Sequence, residues 1–293
     1  MTDTVVIIAA GEMGAGIGRR LAERGARVLT SLRDRGAGSA ARARAAGMID
    51  VTDDDDLVAQ ADVVLSVVPP GQAAALAERL KGPLSRTAGA PLYVDCNAVA
   101  PDTARTIGGI LAGTRAQFVD GGIIGGPPAQ GYSPNLYVSG PQARDVLRLS
   151  GYGLSVRPIE GGIGAASALK MSYAGITKGI TAIGIAMLLG ASRAGCADEL
   201  RQELSESQPQ ILQRMARQVP ASFPKAYRWV AEMEEIAAFL GDDPAGRILF
   251  QGIARLYERI ASGEDGAVPG AAAELEALRA FLAPPAEPRS KAG

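Results

Sequence analysis

Over the first half of the chain, short β-branched runs alternate with longer stretches rich in Ala and Arg. The runs at 5–9, 27–31, 63–67, 92–95 and 118–121 predict strands, and 14–24, 38–46, 71–80 and 100–111 carry helix-compatible patterning between them. Strands separated by helices of that length predict parallel βαβ units in a doubly wound sheet. Two further short strands, at 135–139 and 155–158, extend it. After Gly161-Gly162 the pattern changes. Residues 163–191 lack strand alternation, are dense in Ala, Gly and Ile, and are long enough for one buried helix. Beyond it, 197–218, 224–240, 246–262 and 271–282 read as amphipathic helices. Pro220 and Pro224, then 241–244, then 263–269 punctuate them.

The first strand runs directly into Ala9-Ala10-Gly11-Glu12-Met13-Gly14 and then into a helix. A turn of this kind brings backbone close to a pyrophosphate and offers the phosphates the unpaired N–H groups of a helix N-terminus. The spacing fits a dinucleotide fingerprint in which Ala9 replaces the first glycine, with Ala9, Gly11, Glu12, Met13 and Gly14 as cofactor contacts. At the end of the second strand, Ser31, Arg33 and Arg35 suit a ribose 2′-phosphate, with Ser39 able to assist. Asp34 is the opposing feature, because a carboxylate there suits a free 2′-hydroxyl. The balance favours NADP. The expected fold is a Rossmann-type α/β domain over 1–161, then an all-α substrate and dimerisation domain over 162–283 that opens with a long interdomain helix. The Pro-rich tail at 284–293 is expected to be disordered.

Composition removes several classes of chemistry. The 293 residues suffice for about two domains of roughly 150. Thirty basic against 31 acidic side chains give no electrostatic reason to expect a nucleic-acid or membrane-surface partner. Two cysteines cannot form a disulfide framework, so a reducing cytoplasm is the expected compartment. The N-terminus shows no basic region followed by a cleavable apolar segment, and 168–189 is too polar for a confident membrane span. Histidine is absent, which excludes Ser-His-Asp and Cys-His arrangements and imidazole-ligated zinc or haem. No metal site is expected. Proton transfer near neutral pH then falls to Lys, Tyr, Asp, Glu or Cys, or to a water or cofactor hydroxyl.

Lysine is scarce, yet Lys170 and Lys178 both lie in the apolar stretch, and Lys170 is the only charge between Glu160 and Lys178. On a helix Lys170 shares a face with Ser167, Tyr173, Ala174, Thr177 and Thr181. An ammonium set among small and apolar groups is partly desolvated, which suits it to give or take a proton near working pH. Lys178 fits either an anionic substrate group or the wet side of the helix. Glu232, Glu234 and Glu235 read as a solvated face pairing with Arg228 or Lys225, and Trp229, Met233 and Ile236 as core or dimer interface.

Four ordered features cover nearly the whole chain: the glycine turn, Asp95-Cys96-Asn97-Ala98-Val99-Ala100-Pro101, Asp120-Gly121-Gly122-Ile123-Ile124-Gly125-Gly126, and the helix carrying Lys170. Together they resemble the β-hydroxyacid dehydrogenase superfamily, which includes 6-phosphogluconate dehydrogenase and the imine reductases. The stretch from Arg228 to Ile236 is similar to a subgroup with a divergent C-terminal domain. The resemblance implies that Val67, Val68 and Pro69 pass under the cofactor and that Asn97 approaches the nicotinamide and substrate. It implies that Gly125 and Gly126 let a substrate, commonly a carboxylate, reach backbone N–H groups. Lys170 becomes the general acid or base.

Two positions depart from the family. Ile124 stands where Ser is frequent, and Ala174 stands where Asn usually follows the lysine. Tyr173 and Thr177 are the nearest polar groups on that face, Tyr173 either orienting Lys170 or donating a proton itself. A homodimer through the C-terminal helices is implied, with the active cleft between domains. The leading expectation is an NADP-dependent dehydrogenase or reductase acting on a hydroxyl or carbonyl of a small molecule. The alternatives are an imine reductase of the same superfamily, and a sensor or scaffold that binds NADP(H) without catalysis.

Overall fold

The computed structural model describes residues 2–264 and 270–283, so the tail expected to be disordered at 284–293 lies outside the described residues. Two compact units part between Tyr173 and Ala174. The first is built on one eight-stranded sheet: β1 (Thr4–Ile8), β2 (Arg27–Thr30), β3 (Ile49–Asp50), β4 (Val63–Ser66), β5 (Leu92–Asp95), β6 (Gln117–Ile124), β7 (Asn135–Ser139) and β8 (Ser155–Pro158). The strand order is 3-2-1-4-5-6-7-8. Only the β6–β7 pair is antiparallel. Helices α1 (Glu12–Glu23), α2 (Ala37–Ala45), α3 (Asp54–Ala59), α4 (Ala73–Arg86) and α5 (Pro101–Leu111) complete the βα crossovers.

The sheet has a core on each face. Along β1, Val5 and Ile7 join one apolar cluster while Val6 and Ile8 join the other. That is the pattern of a parallel sheet covered on both sides. The chain winds outward from β1 to β3, then returns to place β4 against β1's other edge. This reversal opens a crevice at the carboxyl ends of β1 and β4, where doubly wound sheets bind ligands.

Several elements differ from the sequence-based expectation for local reasons. Helix α3 begins within a run of four aspartates; Asp53 caps it by accepting the Asp56 N–H at 3.0 Å, and Asp54 to Asp56 sit in the first turn, where the helix dipole favours negative charge. Strand β3 has only two residues, both exposed, too few to leave a hydrophobic pattern. The helix expected at 197–218 is two, α7 (Ala197–Ser207) and α8 (Pro209–Ser222). Gln208 between them leaves the helical region, at φ −141° and ψ 52°, because Pro209 disfavours a helical predecessor. Pro220, expected to break a helix, lies inside α8.

The long helix α6 (Ala165–Ala194) starts in the first unit and continues in the second. By length and composition it could cross a membrane, and half of its most apolar window is buried within the protein. Its start is fixed by Asp120 of β6. That buried carboxylate accepts the N–H groups of Gly164, Ala166 and Ser167 at 2.9, 2.9 and 3.1 Å, and the hydroxyls of Ser139 and Ser167 at 2.8 and 2.6 Å. The opening N–H groups of a helix otherwise lack partners, and the carboxylate also meets the positive end of the dipole.

The first turns of α6 lie directly on β6. A Cβ placed at Gly122 would stand 3.0 Å from both the Ala166 carbonyl oxygen and the Lys170 Cβ. These contacts draw the start of α6 into the α/β unit, so the units part after Tyr173 instead of after Gly161. Replacing Asp120 with Asn keeps an acceptor oxygen towards the amides, and the Ser167 hydroxyl can turn to accept from the new amide. Loss of the charge alone should cost about 1–2 kcal/mol, read as a lower midpoint in urea with unchanged m.

In the second unit α9 (Ala226–Phe239), α10 (Pro244–Glu264) and α11 (Ala271–Leu282) bury Met233, Ile236, Ile253, Tyr257, Ile260, Leu275, Leu278 and Phe281. Glu232, expected on a solvated face, is instead buried and paired with the Lys178 ammonium. Lys178 also lies 4.7 Å from the Trp229 ring centroid, and Trp229 stacks edge-on against Tyr257 at 5.1 Å. Tyr257 closes the group by donating its hydroxyl to the Lys178 carbonyl at 2.8 Å. Burial, with Glu232 close by, pushes the Tyr257 phenol up from its ordinary value, so it remains a donor. The pairing assigns Lys178 to the helical core; of the three glutamates, Glu234 is the exposed one.

Candidate active site

The turn after β1 has the geometry its sequence requires. Gly11 is the N-cap of α1, with no side chain capping the helix, so the N–H groups of Glu12, Met13 and Gly14 face outward from a bare N-terminus. A Cβ on Gly14 would fall 2.0 Å from the Ala9 carbonyl oxygen, whereas one on Gly11 would meet nothing within 4 Å. Gly14 therefore serves the close approach of helix to strand, and Gly11 leaves open space over the turn. Ala9 and Val67 tie the ends of β1 and β4 together, through Ala9 N–H to the Val67 carbonyl at 3.0 Å and Val67 N–H to the Ile8 carbonyl at 2.5 Å. These features fit a dinucleotide pyrophosphate at the N-terminus of α1.

At the end of β2 the structure adds two cations that the sequence reading had not singled out. Arg79 of α4 forms a two-point pair with Asp54, at 2.8 and 2.5 Å, and donates to the Ser31 hydroxyl at 3.2 Å. Arg33 approaches the same carboxylate at 3.6 Å. Arg42 of α2 donates to the Ala10 carbonyl and to the Ser39 hydroxyl, each at 3.2 Å, which sets it beside the glycine turn. Arg35 is half-buried. The acidic groups here are occupied: Asp54 by Arg79, and Asp50 by the Leu32 N–H at 2.9 Å. Asp34 is exposed and adopts the left-handed conformation, φ 57°. Arg79 lies on a helix remote in sequence from the β2 end, and Arg42 on the helix that follows β2 directly, three residues after Ser39.

Pro69 is exposed, and Val67 and Val68 are half-buried, on the segment that leaves β4. Asn97, after β5, is nearly fully buried. Its side-chain oxygen accepts the Val68 N–H at 2.6 Å, and its amide nitrogen donates to the Ser66 hydroxyl at 2.7 Å and to the Asp95 carboxylate. Both amide protons and one carbonyl lone pair are thus spent within the protein. The geometry makes Asn97 a brace that positions the segment after β4. Beside it, burial together with Asp95 and Asp120 pushes the Cys96 thiol well up, so it carries no thiolate for nucleophilic work.

Beyond β6 the exposed pair Gly125-Gly126 turns with φ 130° at Gly125, a conformation that favours glycine. Lys170, half-buried, rises from α6 against Gly122, three residues earlier on the same strand. Tyr173, one turn on, is 50% exposed. Ile124 is half-buried. The glycine turn, Val67 to Pro69, Asn97, the Gly125-Gly126 turn and Lys170 all belong to the first unit, at or just beyond the carboxyl ends of parallel strands. Thr177 falls in the second unit, where its hydroxyl points back to the Ala174 carbonyl at 3.4 Å.

A dinucleotide-binding sheet with a lysine-bearing helix laid on its sixth strand defines a class, and comparison with known proteins agrees. Residues 4–147 match the NAD-binding domain of 6-phosphogluconate dehydrogenase, and 191–260 match a domain of unknown function, DUF1932. An uncharacterised 28.5 kDa protein of Methanothermus fervidus is 30% identical over 190 residues, which are 63% of this chain and 70% of that protein. A conserved protein of unknown function, whose solved structure is described as similar to 3-hydroxyacid dehydrogenases, matches with TM-score 0.67 and 27% identity. The match covers 90% of this chain and 99% of that one. The 3-hydroxyisobutyrate dehydrogenase of Mycobacterium tuberculosis, solved with L-serine, shares the fold at TM-score 0.71 and 20% identity, over 95% of this chain and all of that one. The chain belongs to the 6-phosphogluconate dehydrogenase and 3-hydroxyacid dehydrogenase-like superfamily, in the branch with a DUF1932 C-terminal domain.

Proposed function

We propose that this chain is an NADP-dependent oxidoreductase that moves hydride between the nicotinamide and a hydroxyl or carbonyl carbon of a small molecule. The observation that carries the reading is the placement of Lys170. Its Cβ packs over Gly122 of β6, so the ammonium is borne by a helix clamped to the strand that leads into the Gly125-Gly126 turn. Bound NADP supplies the hydride acceptor or donor. Everything else falls to the side chains: Lys170 gives the substrate oxygen its proton in reduction or removes it in oxidation. Asn97 holds the loop after β4, Tyr173 flanks the lysine, and Gly125 and Gly126 form the turn against which the substrate sits.

The choice of NADP over NAD rests on the β2 end, where Arg79 meets Ser31, Arg42 meets Ser39 and Arg33 stands by Asp54, while Asp50 and Asp54 are engaged by the protein. We also propose a cytoplasmic homodimer. Ile176, Ile180, Ile183 and Met187 line one exposed stripe of α6 in the second unit, at alternating spacings of four and three, and an apolar stripe of this kind suits a helix of a second copy.

The test is a spectrophotometric panel of short β-hydroxyacids with NADP, and of aldehydes and cyclic imines with NADPH. Turnover should be fastest on the hydroxyl and carbonyl compounds. Changing Arg33 and Arg42 together to Ala should raise KM for NADPH about tenfold or more while leaving KM for NADH within twofold, as loss of charged hydrogen bonds to one phosphate predicts. Tight NADPH binding with no turnover anywhere in the panel would leave only a sensor or scaffold.

A further inference from the structure

The segment after β6 holds a side chain that the reading above does not use. Residues 129–132 form a tight turn, with Ala129 and Tyr132 exchanging backbone hydrogen bonds at 3.1 and 3.0 Å around Gly131, φ 73°. Arg20 of α1 holds this turn from below, donating to the carbonyls of Ala129 and Tyr132 at 2.6 and 3.1 Å, and to that of Gly153 at 3.4 Å. Packing against α1 reinforces the anchor, since a Cβ at Gly16 would stand 3.0 Å from Pro128. The turn is therefore fixed to the helix whose N-terminus faces the cofactor.

From this anchored turn Tyr132 reaches back over the glycine pair. Its hydroxyl oxygen accepts the Gly126 N–H at 3.1 Å, and a Cβ at Gly125 would lie 2.1 Å from that oxygen. The phenol thus occupies the place from which a ligand would take the Gly126 proton. Tyr132 is 45% exposed, and a hydroxyl that accepts from a backbone N–H keeps its own proton to donate. Ile124 beside the pair has no hydroxyl, and the one found at this turn comes from Tyr132, eight residues downstream.

We propose that Tyr132 is a specificity-determining residue whose hydroxyl relays the Gly126 N–H to a substrate carboxylate. The inference rests on the oxidoreductase reading for the location of the substrate, not for its reaction. With its oxygen already accepting from Gly126, the phenol turns its proton to the ligand, and a carboxylate gains more from a phenol donor than a neutral oxygen does. Because Arg20 and Pro128 hold the turn, the hydroxyl is in place before the substrate arrives, with little ordering left to do on binding.

The experiment compares the full chain with Tyr132→Phe, which keeps the ring and removes the donor. Binding of 3-hydroxypropionate to the NADP-loaded protein is measured by calorimetry, with propan-1-ol as the ligand lacking the carboxylate, and oxidation of both is followed at 340 nm on the same samples. Tyr132→Phe is expected to weaken 3-hydroxypropionate at least about tenfold in Kd and KM, the usual loss for a hydrogen bond to a charged group. NADPH affinity and the response to propan-1-ol should stay within twofold. Equal or tighter binding of the carboxylate by Tyr132→Phe would overturn the proposal and make the phenol a plug or a turn support. So would failure of the unsubstituted protein to bind 3-hydroxypropionate. Binding that is lost in Tyr132→Phe, but with no hydride transfer in either protein, would uphold Tyr132 and sink the oxidoreductase reading.

Discussion

Lys170→Ala is expected to lower turnover by about 10²–10⁴-fold, the usual contribution of a positioned general acid or base, while NADPH binding stays within twofold. The separation follows from the geometry. The proposed cofactor determinants lie on the turn after β1 and at the end of β2, elements other than α6. Helix α6 itself is held by Asp120 and by packing on Gly122, so losing the ammonium should leave the fold in place. Lys170→Arg refines the test. Guanidinium keeps the positive charge but does not release a proton in the working range. An Arg variant that binds substrate normally yet turns over as slowly as the Ala variant would assign Lys170 to proton transfer; an Arg variant with near-full activity would reduce it to charge. Full activity in Lys170→Ala would remove it from the mechanism.

Lys178→Met is expected to destabilise the helical unit by about 3–5 kcal/mol, because it leaves the Glu232 carboxylate buried without its cation. The pair is well enclosed: the side chains of Lys178 and Glu232 are 17% and 9% exposed, and the Trp229 ring covers the ammonium. Glu232→Leu alone should cost a similar amount by stranding the lysine. The double replacement should recover to within about 1–2 kcal/mol of the original, since two apolar side chains of similar size need no desolvation to be matched. Urea denaturation of the four proteins reads the cycle directly. If the double variant is as unstable as the singles together, shape at this site matters more than charge. Turnover, where Lys178 has no assigned role, should change only through the folded fraction.

The contrast between Lys170 and Lys178 shows what the sequence carries. Both stood out as rare charges in one apolar helix; the family resemblance gave Lys170 a role, while the sequence left Lys178 open between two. What separates them is the element that each meets: β6 for Lys170, and α9, far along the chain, for Lys178. Helical periodicity places a side chain on a face but does not say what faces it. For the same reason Glu232 was grouped with Glu234, although one is buried and the other exposed. The βα alternation and the glycine turn were legible because each is a local event, a strand of uniform character followed by a tight turn and an open helix N-terminus.

Residues that act by reaching across the fold were not legible. Arg42 and Arg79 arrive at the end of β2 from helices, and Tyr132 arrives at Gly126 from a turn that Arg20 anchors. A weak signal for Tyr132 did exist, in the closeness of an aromatic to a Gly-Gly pair flanked by prolines. The bracing contacts of Asn97 were not legible either, because its neighbours Ser66 and Val68 are brought to it only when β4 and β5 pair.

The carboxylate at Asp120 has a bearing on how such a protein can change over time. It joins β6 to the start of α6 directly, with Ser139 at the end of β7 as a second tie, and bypasses the segment from Gly140 through β8 in between. Insertions or deletions in that intervening stretch could accumulate without displacing the Lys170 ammonium, because its coordinates are referred to the sheet and not to the path the backbone takes to reach it. A shift of a single residue between Gly164 and Lys170, by contrast, would swing the side chain about a third of the way round the helix axis. Drift in length is thus tolerated on one side of the clamp and forbidden on the other.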